Sequence, residues 1–177
     1  MRAVIDFETA NLHQRHPIQV GVVIATNDLK IEHEFETLIA PLKNTEWCEK
    51  AQTVHGINKA RLKNAPTVEH VGLMIAGLFK TFESSVHENE LIYHAQGSFD
   101  IQILNDLMVR AGLFGRGMPL KWKTYNTLKE AKKHNLFDSY ALTKIAKVLG
   151  YEYKAHDALS DCRATLELMK EIRKYES

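Results

Sequence analysis

Asp6 and Glu8 stand two residues apart at the end of the apolar run Ala3-Val4-Ile5. In a strand, side chains at i and i+2 share a face, roughly 6.5 Å apart along the chain. The two carboxylates therefore converge on one side, with Phe7 on the other. Two acids so close to a core repel each other and lose hydration, and they need cations, donors or protonation in compensation. A divalent ion supplies this most directly, because oxygen ligands suit hard ions such as magnesium. The alternative is an exposed strand end with two solvated acids.

Three further residues bear on that choice. Ala158, Cys162, Thr165, Leu166, Met169 and Ile172 define the core-facing stripe of a final helix. An advance of about 100° per residue puts Asp161 at the edge of this stripe, away from the solvent face. No Lys or Arg stands four residues to either side of it, so it too calls for a cation. His156 lies in the loop entering the same helix. Alone it reads as a surface histidine; held beside a metal-bound carboxylate it is a natural general base. Asp100 falls in the first turn of a helix opening at Ser98, where an acid also interacts well with the exposed amides and the helix dipole. It directly follows a strand end, where ligand sites lie in α/β sheets. Asp157, Glu167 and Glu171 read as caps and solvated surface.

The elements that must position these groups follow from periodicity. Ile18–Ala25 is a second β-branched run, Asn27-Asp28 signals a turn, and Ile31–Ile39 partly alternates apolar and charged residues like a half-exposed strand. With the first strand they form an antiparallel meander. Asn11–Pro17 is a polar loop. Helical composition begins at Thr45 and ends at Gly56. Thr67 caps another helix with the stripe Val71, Met74, Ile75, Leu78, Phe79 and Phe82. Leu91–Tyr93 is a short fourth strand, and Ser98 caps a helix with the stripe Ile101, Leu104, Leu107, Met108 and Ala111. Gly112–Pro119 reads as a loop and Trp122–Tyr125 as a fifth strand. Two helical pieces end at Gly150, a glycine C-cap, and the last helix starts near Asp157. Early strands followed by strand–helix alternation predict an α/β or α+β domain.

The 177 residues suit one domain, with a formal net charge of +1 that argues against coating nucleic acid through bulk charge. Cys48 and Cys162 stand singly without metal-type spacing, which points to a reducing cytoplasm. No apolar run is long enough to span a membrane, and no signal peptide is expected.

Asp6-x-Glu8, then His94 with Phe99-Asp100, then His156-x-x-x-x-Asp161 resemble, in order, the three motifs of the DnaQ-like DEDDh 3′–5′ exonucleases. Val54-His55-Gly56-Ile57 followed by Pro66, and Thr124-Tyr125-Asn126-Thr127-Leu128, are similar to intermotif features of the proofreading branch. The resemblance covers nearly the whole chain, as one domain over 1–177. It implies an α/β, ribonuclease H-like fold: a five-stranded mixed sheet, three antiparallel strands then parallel additions, flanked by helices. Ala95 stands where the family often has Asn, and Asn126 where it often has Asp.

By the same resemblance, Asp6, Glu8 and Asp161 hold one divalent ion, Asp6 bridges to a second, and Asp100 assists directly or through water. Two ions about 3.5–4 Å apart suit an in-line phosphoryl displacement, and Mg²⁺ or Mn²⁺ suits an all-oxygen set better than zinc does. His156 takes the proton from the attacking water, and nucleoside 5′-monophosphates leave single-stranded 3′ ends, of DNA in preference to RNA. The backbone at Thr9 and Ala10 meets the terminal nucleotide, and Val54 and His55 pack on its base or sugar. Phe99 is a core residue or a platform for a base. The weak net charge predicts modest affinity alone and a polymerase or repair partner. The rivals are an RNA 3′-end trimmer similar to ribonuclease T, with Lys129, Lys132, Lys133, Lys144 and Lys147 as its basic patch, and a non-catalytic binding module. Because the chain stops shortly after the last motif, an autonomous exonuclease is expected in preference to a proofreading subunit.

Overall fold

The computed structural model describes residues 1–11, 14–84, 87–113 and 122–176. In chain order the elements are β1 (Arg2–Thr9), β2 (Pro17–Ala25), β3 (Ile31–Leu38), α1 (Glu49–His55), a 3₁₀ turn (Lys59–Leu62), α2 (Val68–Phe82), β4 (Glu90–Tyr93), α3 (Phe99–Arg110), β5 (Lys123–Asn126), α4 (Thr127–Lys133), α5 (Leu142–Val148) and α6 (Ala158–Arg173). The five strands form one sheet in the order β3-β2-β1-β4-β5. β1, β2 and β3 run as the antiparallel meander, and β4 and β5 add in parallel beside β1. This is the ribonuclease H-like mixed sheet that the sequence predicted.

Alternation along β1 sorts its side chains to two cores. Ala3, Ile5 and Phe7 join Val20, Val22 and Ile24 of β2 under α2 and α3, in a cluster that includes Ile75, Phe79, Leu104 and Leu107. Val4 turns to the other face, where it meets Val23, Cys162, Leu166 and Met169 beneath α6. Asp6 and Glu8 share Val4's parity, so they emerge on the α6 side just past the end of that apolar cluster. β2 is buried along all nine residues, as a central strand covered on both faces must be.

Several expectations change in detail. Helix α1 begins at Glu49 and not near Thr45, with Gly56 in the left-handed region (φ +70°) closing it. In α2 the cap at Thr67 holds, its hydroxyl accepting from the His70 amide at 3.3 Å, but Met74 is exposed and Ala76 takes its place in the buried stripe. In α3 Ile103 is fully buried and Ile101 only partly buried, so the true stripe turns through 103, 104, 107 and 108. Ser98 precedes α3 but does not cap it, since its hydroxyl accepts from the Gln102 side chain at 2.8 Å. Most of the loop expected over Gly112–Pro119 lies outside the described residues.

Candidate active site

Four elements meet at the end of β1: its own last residues, the start of α3, the loop before α6, and the first turns of α6. Strand β4 pairs with β1 only as far as Val4. Beyond that point the Asp100 carboxyl, at the first turn of α3, faces the Phe7 backbone amide, which together with its own amide favours the ionised form. Asp100 thus lies against β1, buried to 5% exposure. Asp157 caps α6, accepting from the Ser160 amide at 3.3 Å, and so sets the start of the helix. One turn in, Asp161 is 8% exposed, and its Oδ2 accepts from the His156 amide at 2.9 Å. His156 holds a left-handed backbone, φ +60°, which a non-glycine residue adopts at a cost, often at functional sites. The ring remains exposed to solvent. Ligand atoms of Glu8, His156 and Asp161 all lie within 4.8 Å of one another.

Among the described residues, none of Asp6, Glu8, Asp100 and Asp161 has an ion pair with Lys or Arg. No cationic side chain therefore offsets their burial and mutual repulsion. Burial first, and then the charges of Asp161 and Asp100, pushes Glu8 up to about 8. Burial raises Asp161 to about 7, with Asp157 adding to it, and Asp100 to about 6 despite the two amides that face it. Asp6 is raised well above the carboxylate range, by burial and then by Asp100, Asp161 and Glu8. Such a set is unfavourable when fully ionised, and hard divalent cations relieve it. The oxygen-rich donor set with one imidazole at its edge fits that group. A second cluster, Glu130, His134 and Glu176, is different in kind, because Lys133 and Arg173 already pair with its acids.

The residues expected at the nucleotide lie around this centre. Thr9 is half-buried and its hydroxyl donates to the Asn11 carbonyl at 3.0 Å. Ala10 is fully buried; its amide donates to the His16 carbonyl and its carbonyl accepts from the Cys48 amide. Both backbone groups of Ala10 are thus used within the chain, and Thr9 forms the accessible edge. Val54 is 48% exposed at the end of α1. His55 is buried beside Thr9, with Nδ1 accepting from the Ile57 amide at 3.0 Å, and burial lowers its pKa. Phe99 is partly buried against the main core. His94 stands apart from the acids: its ring nitrogens bond Thr127 Oγ1 at 2.9 Å and the Tyr140 carbonyl at 3.2 Å, pinning the start of α4.

The two departures from the family pattern touch each other. Asn126 caps α4 through its Oδ1, while its Nδ2 donates to the carbonyls of Ala95 (3.0 Å) and Gly97 (3.1 Å). An aspartate could cap the helix but could not donate.

Two residues at the site went unremarked in the sequence. Tyr153 is one: its hydroxyl is buried without an ordinary hydrogen-bond partner, and after burial the nearby charges of Asp161 and Asp6 hold its pKa up. Gly21 is the other, and it alone had a signal, a glycine inside a buried β-branched run.

A ribonuclease H-like sheet with a cation-hungry carboxylate cluster at the end of its first strand defines a class of phosphodiester hydrolases. The chain belongs to the exonuclease family whose sequence model, RNase_T, matches residues 3–169. It is an exonuclease of the DEDDh, DnaQ-like type, and enzymes of this type depend on a divalent metal. It is 28% identical over 187 residues to the uncharacterized exonuclease CP81 of Escherichia phage 186, covering 98% of this chain and 88% of that one. Its fold superposes on E. coli Exonuclease I in complex with a dT13 oligonucleotide with a TM-score of 0.82 at 16% identity, over 99% of this chain and 42% of that chain. The nuclease domain of 3′hExo, a DEDDh family member bound to rAMP, gives 0.77 at 22% identity, over 98% and 92%. The chain thus spans about 42% of the length of Exonuclease I. Among the described residues, no helix is long and apolar enough to cross a membrane.

Proposed function

We propose that this chain is one exonuclease domain, over residues 1–177, that removes nucleoside 5′-monophosphates from single-stranded 3′ ends, with DNA favoured over RNA. The observation that carries this reading is the meeting of Asp6, Glu8, Asp100 and Asp161 without a Lys or Arg partner among the described residues, beside a histidine fixed by one of them. Asp6, Glu8 and Asp161 would hold one divalent ion, Asp6 would share a second, and Asp100 would support it; Mg²⁺ or Mn²⁺ fits this oxygen set. When bound, such ions polarise the phosphate, lower the pKa of the attacking water and stabilise the leaving oxygen.

The other steps fall to the chain's own side chains. The His156 ring, solvent-exposed yet anchored through its amide to Asp161, takes a proton from the attacking water and passes it to solvent. Thr9 supplies the edge against which the terminal nucleotide lies. Val54 offers an exposed apolar surface for its base, and buried His55 backs Thr9. Exonuclease I with dT13 supports DNA as the favoured polymer.

An RNA 3′-end trimmer is the second reading. Lys129 and Lys132 line a cleft of about 410 Å³ with Gly97 and Asn126, a surface suited to phosphates. The +1 net charge supports a polymerase or repair partner that supplies affinity for the strand. Two free cysteines support a reducing, cytoplasmic setting.

End-labelled oligonucleotides test the polarity. A 3′-labelled strand releases its label as a mononucleotide at the earliest times, while a 5′-labelled strand shortens stepwise. Early mononucleotide release from the 5′ label would overturn the assignment.

A further inference from the structure

A cleft of about 430 Å³ lies between residues 14–17, which lead into β2, and the outer face of α3. Gln102, Asp106 and Arg110 recur every four residues along that helix, so they form one ridge beside the cleft. Arg15 reaches across to this ridge, hydrogen-bonding the Gln102 side chain and pairing with Asp106 at 3.4 Å. The Asp106 charge is thereby matched. Arg110, one turn further on, is exposed and closes no ion pair or hydrogen bond among the described residues, although Glu69 feels its charge. In the opposite wall, Nδ1 of His16 is buried without a partner. The floor is apolar, formed in part by Phe99 and Leu107.

The position of this cleft gives it meaning. Phe99 precedes Asp100, and Pro17 is the ladder partner of Thr9, so both walls begin at the catalytic centre. From Phe99 to Arg110 the helix rises about 16 Å, room for a few nucleotides of extended strand. Apolar surface flanked by arginines and amides is what a single strand requires, because bases stack on the former and phosphates pair with the latter.

We propose that this cleft is a second binding segment for the substrate strand, holding the phosphodiester backbone of nucleotides on the 5′ side of the one being removed, with Arg110 and Arg15 as its phosphate contacts. The proposal rests on the exonuclease reading and adds to it where the strand runs and which residues set affinity for longer substrates. The carboxylate centre takes the terminal nucleotide, and the arginine cleft takes what precedes it.

The test compares the p-nitrophenyl ester of thymidine 5′-monophosphate, a dinucleotide and a single-stranded decanucleotide, all with Mn²⁺, for the unaltered chain, Arg110→Ala, Arg110→Lys and Arg15→Ala. Arg110 is exposed, so its substitution leaves folding intact. For the decanucleotide, Arg110→Ala should raise KM about tenfold and flatten the dependence of log KM on log salt by about one. Hydrolysis of the ester and of the dinucleotide should be unchanged, and Arg110→Lys should restore most of the affinity. Arg15→Ala should follow Arg110→Ala. An unaltered decanucleotide KM in both alanine variants, or an equal shift for all three substrates, would overturn the cleft's role. An unaltered chain that releases nothing from any of the three substrates would instead sink the exonuclease reading, and the cleft's assignment with it.

Discussion

A Cβ on Gly21 would lie 2.4 Å from the carbonyl carbon and oxygen of Ala158, so β2 and the first turn of α6 meet backbone to backbone. The Cys162 thiol reinforces the contact by donating to the Gly21 carbonyl at 3.2 Å. Gly21 is also the ladder partner of Asp6. Their close approach therefore sets the distance between the strand that carries Asp6 and the helix that carries Asp161. Gly21→Ala must push the helix away. We expect a loss of about 1–3 kcal/mol or more with at least a hundredfold fall in turnover, read by thermal melting and by mononucleotide release. An unchanged melting temperature would show that the helix start yields without cost.

His156 joins a strained backbone to an exposed ring. His156→Ala should cut kcat by about 10²–10⁴-fold, the range for loss of a general base. Metal-dependent binding of a 3′ end, measured by fluorescence anisotropy, should persist within a few-fold, because the Asp161 contact is made by the backbone amide and not by the ring. Normal turnover in this variant would remove the assigned role.

The acids predict an unusual pH dependence of stability. Glu8, Asp100 and Asp161 sit at about 8, 6 and 7 in the folded chain, all above their ordinary values. The folded state thus favours their protonated forms. The stability this contributes is fully present below the unfolded carboxyl pKa and is lost as pH rises through about 6 to 8. In EDTA the melting temperature should fall between about pH 5 and pH 8, and millimolar Mn²⁺ should restore it at the upper end. Asp161→Asn should flatten the fall and weaken the metal response. A melting temperature in EDTA that is level across this window would contradict the burial of these acids without a counter-charge.

Asn126 gives a gentler test, away from the reacting centre. Asn126→Asp keeps the α4 cap and loses the donors to Ala95 and Gly97. We expect about 1–2 kcal/mol of destabilisation from carbonyls facing a carboxylate, faster amide exchange in residues 95–98, and activity within a few-fold of the original. Exchange rates that stay the same would show that the two hydrogen bonds do not hold this loop.

The sequence made the site legible to different depths. Period-two alternation placed Asp6 and Glu8 on one face of β1, and the helical stripe of α6 put Asp161 at the core edge; both hold because each element is long and strongly patterned. Asp100 stands out as an acid in a first turn, but its place beside the Phe7 amide depends on where β4 stops, which is a tertiary fact. Ser98 has the residue type of a cap, but its hydroxyl has a competing local partner in Gln102. The start of α1 is not legible, since helical composition alone does not fix a boundary without a cap, and none is formed at Cys48. Tyr153 gave no sign at all: Tyr151 and Tyr153 alternate over too short a loop to define a strand or a site, and only the folded loop brings the Tyr153 hydroxyl to Asp161.

The most direct test of a metal-dependent 3′–5′ exonuclease is the degradation of matched 3′-labelled single-stranded DNA and RNA with Mg²⁺, Mn²⁺ or EDTA, alongside Asp6→Ala. We expect mononucleotide release that requires the metal, is faster from DNA, and is absent in the variant. Release that persists in EDTA or in Asp6→Ala, or no release from either polymer, would contradict it.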